Sequence, residues 1–236
     1  MIFGKIDYLN LLPLHIYLKK MPLPTYVKRT TEYKKGVPRK LNESLYFRRI
    51  DAAIISSIES YRKKYKTLNV GICANKKVKS VLIKKQTQNK EDNESATSNV
   101  LAKILKQNGE VIIGDKALKL YLQNQNAYID LCEVWYEKFN LPFVFARFSC
   151  IKNFSNYKKI MNCFVKNKIF IPQYILCDYA KSRQLSQKDI KDYLQLIYYK
   201  IGAKEQFALK KFNTMQKDLK VKNKKTSNLL TNFSFK

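Results

Sequence analysis

"GVPRKLNESLYFRRIDAAIISS", residues 36–57, sets a helical segment against a strand and ends in two hydroxyls. Pro38 suits the first turn of a helix, where a missing N–H is harmless. Leu41, Leu45 and Ile50 recur along one face of that helix. The "DAAIISS" that follows is apolar without alternation, the pattern of a short strand covered on both faces. A helix feeding such a strand points to a parallel sheet built with right-handed crossovers.

The flanking residues extend the pattern. "MIFGKIDY" (1–8) reads as a strand and leads into an apolar helix from about Leu11 to Lys20. "PTYVKRTTEY" (24–33) is β-branched and aromatic enough to predict a second strand. After residue 57, "NVGICANKKVKSVLIKK" carries two strand-like pieces, and "QTQNKEDNES" is a polar loop. "ATSNVLAKILKQNG" (96–109) predicts a helix with Thr97 or Ser98 as N-cap and Gly109 as terminator. "EVIIGD" is a buried strand, "KALKLYLQN" a helix, and "LPFVFARFSC" a long apolar strand, so alternation repeats on a smaller scale. Beyond Asn153 the pattern is wholly helical. Three helices are expected in "YKKIMNCFVKN", "IPQYILCDYAKSR" and "SQKDIKDYLQLIYYKIG", and a fourth from Lys204 to about Met215. In the third, Ile190, Tyr193, Leu194 and Ile197 share a face. The tail after about residue 216 is rich in lysine and asparagine and is expected to be poorly ordered.

Two α/β units with a helical return predict a discontinuous first lobe, residues 1–80 with 146–236, and a smaller second lobe, residues 81–145. A cleft between two lobes is a usual place for a small ligand.

The 236 residues are 45% apolar, enough for a large core, and no apolar run approaches the roughly 18 residues of a membrane span. The first ten residues do not read as a secretion signal. Five cysteines without a CxxC pair and a single histidine supply a metal site poorly and suit a reducing cytoplasm. With 46 Lys+Arg against 18 Asp+Glu, the net charge is +28, a field that attracts anions. The lysines are scattered and no nucleic-acid-binding motif accompanies them, so no nucleic-acid partner is expected.

Asn10 stands where the first strand meets a helix, a place for a cap or turn and also for a ligand contact, since α/β folds bind at the C-terminal ends of parallel strands. Ser56 and Ser57 end the third strand of the pattern and belong to the same region. Thr97 and Ser98, at the head of a helix, fit either capping or a carboxylate cradle. Asp115 is a ligand contact or a cap, and His15 reads as a packed side chain.

Taken in order, "DYLNLLP", "DAAIISSIES", "VKSVL", "SATSN", "IGDKAL", "DLCEVW" and "LPFVFA" resemble the chorismate dehydratase family of the futalosine route to menaquinone. The resemblance runs from Gly4 to about Phe148 and continues loosely into "IPQYILCDYAKSR". It implies a two-lobed α/β fold like the type 2 periplasmic binding proteins, serving as a cytoplasmic enzyme without metal or organic cofactor. It further implies a hydro-lyase that converts the dicarboxylate chorismate to 3-[(1-carboxyvinyl)oxy]benzoate. Asn10 would be catalytic, and Ser56, Ser57, Ser80, Thr97 and Ser98 would line the substrate cleft. Two other readings are a non-enzymatic carboxylate binder of the same fold and a basic nucleic-acid-binding protein. The oligomeric state is not legible.

Overall fold

A computed structural model describes residues 1–233, with the side chains of residues 30–33 and 220–233 outside the description. The first strand, β1 (Phe3–Ile6), passes through a 3-10 turn at Leu9–Leu11 into α1 (Leu12–Lys20). Then come α2 (Thr25–Tyr33), β2 (Lys35–Gly36), α3 (Pro38–Tyr46) and β3 (Ala52–Ser56). β1 lies parallel to both β2 and β3, and every residue of β1 and β3 is buried. That double burial is why β3 reads as an apolar run up to Ser56, while β1 keeps a buried lysine, Lys5, between Gly4 and Ile6. Pro38 is the first residue of α3, with Leu41 and Leu45 buried beneath it.

The segment 24–33 is a helix, not the expected strand. Val27 and Lys28 donate their N–H groups back to the Pro24 carbonyl, which starts the turn. Val27 sinks into the core while Tyr26 stays exposed, so burial of one position per turn outweighs the weak strand preference of Thr and Val. The strand that the sheet does use is only Lys35–Gly36.

From β3 the chain enters β4 (Lys66–Ala74), leaves the large sheet, and forms β5 (Val81–Lys84), α4 (Ala96–Leu105), β6 (Glu110–Ile113) and α5 (Gly114–Gln123). It continues through β7 (Tyr128–Asp130) and α6 (Leu131–Phe139), and returns to the large sheet as β8 (Phe143–Cys150). β5 is central and antiparallel to both β6 and β7, giving a small sheet ordered β6-β5-β7. β8 inserts antiparallel between β3 and β4, so the large sheet is mixed, with the order β2-β1-β3-β8-β4-β9.

The rest is α7 (Phe154–Lys166), α8 (Gln173–Arg183), α9 (Gln187–Gln195), β9 (Ile197–Lys200) and α10 (Ala203–Phe233). β9 corrects the expectation of a wholly helical return, since it pairs antiparallel with β4 at the sheet edge. Ile197 matches the helical spacing of Ile190 and Tyr193 by coincidence, and "IYYK" follows its own β-branched and aromatic preference instead. The α9 start is a capping box between Ser186 and Asp189.

α4 is capped by Ser95, two residues before Thr97 and three before Ser98, and ends at Lys106 in the left-handed region rather than at Gly109. Gly109, at φ +134°, instead lets the chain pass Lys84, whose carbonyl would lie 2.2 Å from any Cβ there. α10 continues past Met215, with Gln216 buried and Leu219 packed on the core. The backbone of α10 runs on through the expected tail to Phe233, and residues 234–236 fall outside the description. Among the described residues, no helix is long and apolar enough to cross a membrane.

Candidate active site

β1 and β3 run parallel, so their C-terminal ends open on the same edge, and the turn after β1 carries Tyr8, Leu9 and Asn10 there. Asn10 caps nothing: the N-cap of α1 is Leu11, without a side-chain bond. Its backbone is held firmly instead. The Tyr199 hydroxyl donates to the Asn10 carbonyl at 2.6 Å, and the neighbouring Leu9 N–H donates to the Asp115 carboxylate at 2.9 Å. The side-chain Oδ1 of Asn10 is buried with no protein donor. An acceptor left open in this way loses its hydration without a replacement, a cost that a bound ligand can remove.

A hollow of about 50 Å³ lies beside that oxygen, between the two sheets. Asn10, Tyr8, Ser56, Ser80, Ser95 and Ser98 supply its polar lining, and Ile6, Ile72, Val78, Val81, Ile113 and Phe145 line it with apolar side chains. Of the six residues singled out in the sequence, Asn10, Ser56, Ser80 and Ser98 thus come together. Ser57 and Thr97 are fully buried and do not line the hollow; their hydroxyls face each other at 3.3 Å, tying the end of β3 to the head of α4.

Each lining group is positioned by a neighbour that sequence reasoning missed. The Ser56 hydroxyl accepts from the Asn42 amide at 3.2 Å, and the Asn42 oxygen accepts from the Ser56 N–H. Ser80 accepts from the Tyr193 hydroxyl at 2.9 Å, and its carbonyl receives the Gly114 N–H. The segment that carries Ser80 is anchored by Asp130, whose carboxylate accepts N–H bonds from Val78 and Lys79 as well as Cys132 and Glu133. The Ser95 hydroxyl donates to Ser98 Oγ at 2.7 Å and accepts the Ser98 N–H. The head of α4 therefore brings to the hollow both hydroxyls and the positive end of a helix dipole.

Charge is arranged around the rim rather than inside. The Tyr8 hydroxyl bonds to Glu94, and Arg183 pairs with Asp115 at 2.7 Å while also reaching the Asp7 carbonyl. Burial, and then the bond to Glu94, pushes the Tyr8 phenol well above its ordinary range. Burial also pushes Tyr193 far up, so both phenols are donors at neutral pH. Burial raises the Asp115 carboxyl too, against the opposing Leu9 N–H and Arg183. Segment 90–94 separates two broader clefts, one lined by Arg39, Arg62 and Asn99, the other by Asp7, Lys116 and Arg183. Among the described residues, no three His, Cys, Asp or Glu side chains converge as metal ligands do.

A model of a menaquinone biosynthesis family matches residues 1–110 and 106–218. The chain belongs to this menaquinone biosynthesis family. All the lining residues, as well as Tyr193 and Tyr199, fall inside the matched spans. A curated relative from Campylobacter jejuni subsp. jejuni serotype O:23/36 (strain 81-176), named chorismate dehydratase, is 66% identical over 213 residues, covering 90% of this chain and 96% of its own. Two solved structures show the fold. A protein from Archaeoglobus fulgidus superposes with a TM-score of 0.68 at 14% identity, covering 93% of this chain and 97% of its own. The periplasmic aliphatic sulphonate-binding protein of Escherichia coli does so at 0.50 and 12% identity, covering 95% and 87%. This member of the menaquinone biosynthesis family thus has the two-lobed α/β fold of periplasmic binding proteins, with its hollow between the two sheets.

Proposed function

We propose that the protein is a chorismate dehydratase, which removes water from chorismate to give 3-[(1-carboxyvinyl)oxy]benzoate on the futalosine route to menaquinone. The observation that carries this reading is the 66% identity to the curated chorismate dehydratase across nearly all of that relative's length. The site's chemistry agrees with it. Chorismate is a dianion, and the hollow offers serine hydroxyls and a helix N-terminus to its carboxylates.

The reaction takes a proton from the ring carbon bearing the enolpyruvyl ether and expels the neighbouring hydroxyl. Negative charge spreads through the diene toward the ring carboxylate between the two events. Ser80 and Ser98 donate to that carboxylate and stabilise the charge where it develops. Asn10 is the catalytic residue, and its amide holds the substrate in the reactive pose. A neutral amide does not titrate near neutrality, so the enolpyruvyl carboxylate of chorismate itself takes the proton, at the high effective concentration that fixed geometry provides. Ser56 completes the wall. Ser57 and Thr97 clasp the strand end to α4 around the substrate.

A hollow of about 50 Å³ holds only a few waters, much less than chorismate, so we infer that the lobes part to admit substrate. We place the lobe division at residues 80/81 and 145/146, close to where the chain leaves the large sheet after Ala74 and rejoins it at Phe143, and the enzyme in the cytoplasm. The five unpaired cysteines suit that compartment.

Incubation of the purified protein with chorismate, followed by chromatography, tests the reading. Expected is conversion to the aromatic ether with loss of one water. Chorismate that is bound but recovered unchanged would instead make the protein a carboxylate binder.

A further inference from the structure

The α9–β9 segment lies far in sequence from the turn after β1, yet it supplies two phenols that bond to residues lining the hollow. Tyr199 grips the Asn10 carbonyl at 2.6 Å, and Tyr193 donates to Ser80 Oγ at 2.9 Å. Tyr193 and Ser80 are each 2% exposed, so the bond between them is not shared with solvent. A hydroxyl that accepts one hydrogen bond still has its own proton to give, and Ser80 faces the hollow. Asn10 lines the same hollow, and its Oδ1 is buried without a donor.

We infer that Tyr193 is a positioning residue for the dehydration: by donating to Ser80 Oγ, it leaves the Ser80 proton to be turned toward the substrate. The chain of donors runs from the Tyr193 hydroxyl to the Ser80 hydroxyl and ends on a substrate carboxylate. Tyr193 does not itself take the proton, since burial keeps its phenol protonated well above neutral pH. The inference rests on the dehydratase reading.

Tyr193→Phe keeps the ring and removes only the hydroxyl. With chorismate as substrate, kcat is expected to fall about 10- to 100-fold while KM changes by less than about threefold, the mark of lost orientation rather than lost binding. Ser80→Ala should cost a similar factor. The double variant Tyr193→Phe/Ser80→Ala should be little slower than Ser80→Ala alone, because the phenol acts through the serine. Tyr198→Phe, on β9 just beyond α9 but bonded to Glu205 and off the hollow, should keep wild-type kcat and serves as the control. Melting curves check that every variant is folded. Wild-type kcat in Tyr193→Phe or in Ser80→Ala overturns the inference, as do losses that simply multiply in the double variant. Wild-type protein that leaves chorismate unchanged overturns the dehydratase reading instead, so the two failures are distinguishable.

Discussion

Asn10 presents a carbonyl oxygen that the protein leaves without a donor, while its own backbone is clamped by Tyr199 and by the Asp115–Leu9 bond. Asn10→Ala is therefore predicted to lower kcat by about 100- to 1,000-fold, measured with saturating chorismate, and to leave the melting temperature nearly unchanged. Asn10→Asp separates orientation from basicity: the added charge should repel a dianion and slow turnover even though it supplies a base. His15 follows on α1 and makes a second test. Its ring is buried, neither nitrogen has a partner, and burial together with Lys5, Lys19 and Lys35 holds its pKa well below the ordinary value. The unfolded chain therefore binds a proton more readily than the folded one, and this group's contribution is lost as pH falls below about 6.5. Thermal melts from pH 7 to pH 5 should show a drop that His15→Leu makes shallower. Asn10 was legible because a polar residue at a strand-to-helix junction is placed by local pattern. Tyr193 was not, because its role depends on Ser80, 113 positions away, and its apolar spacing reads equally well as core.

At the scale of elements, α4 connects capping to chemistry. Ser95 caps it and orders the Ser98 hydroxyl, so Ser95→Ala should cost about 1 kcal/mol of stability and raise KM for chorismate several-fold. Denaturant unfolding and steady-state kinetics read the two effects separately. Gly114, at φ +72°, opens α5 with the Tyr8 ring 2.9 Å from where a Cβ would stand. Gly114→Ala is expected to displace Tyr8 and destabilise the protein through both strain and contact, read as a lower melting temperature. Strands buried on both faces and helices with a clean apolar face were legible, as in β3, α3 and α4. α2 and β9 were not. Thr and Val content favours a strand only weakly, and "IYYK" extends a helical spacing by accident. In both cases the packing partner in the large sheet decided the outcome. The α4 cap expected at Thr97 or Ser98 falls at Ser95 for a related reason, since the three hydroxyls are equivalent as caps until the backbone path is known.

At the scale of the molecule, contacts across the hollow hold the two sheets in one arrangement: Tyr8 with Glu94, Ser57 with Thr97, and Arg183 with Asp115. Removing Arg183 leaves the largely buried Asp115 without its cation. Arg183→Ala should thus favour the open form, raise KM several-fold, and enlarge the radius of gyration seen by solution scattering. The +28 charge belongs to this scale as well. If it serves to attract a dianion, kcat/KM for chorismate should fall as salt rises from 50 to 500 mM, while kcat changes little. The most direct test of the whole account is a crystal structure with the aromatic product bound. The account predicts the ring in the hollow between the sheets, with its carboxylate on Ser80 and Ser98 and the Asn10 amide against it. Product seated in the cleft between Arg39 and Asn99, or on the outer surface with Asn10 Oδ1 still unpartnered, contradicts it.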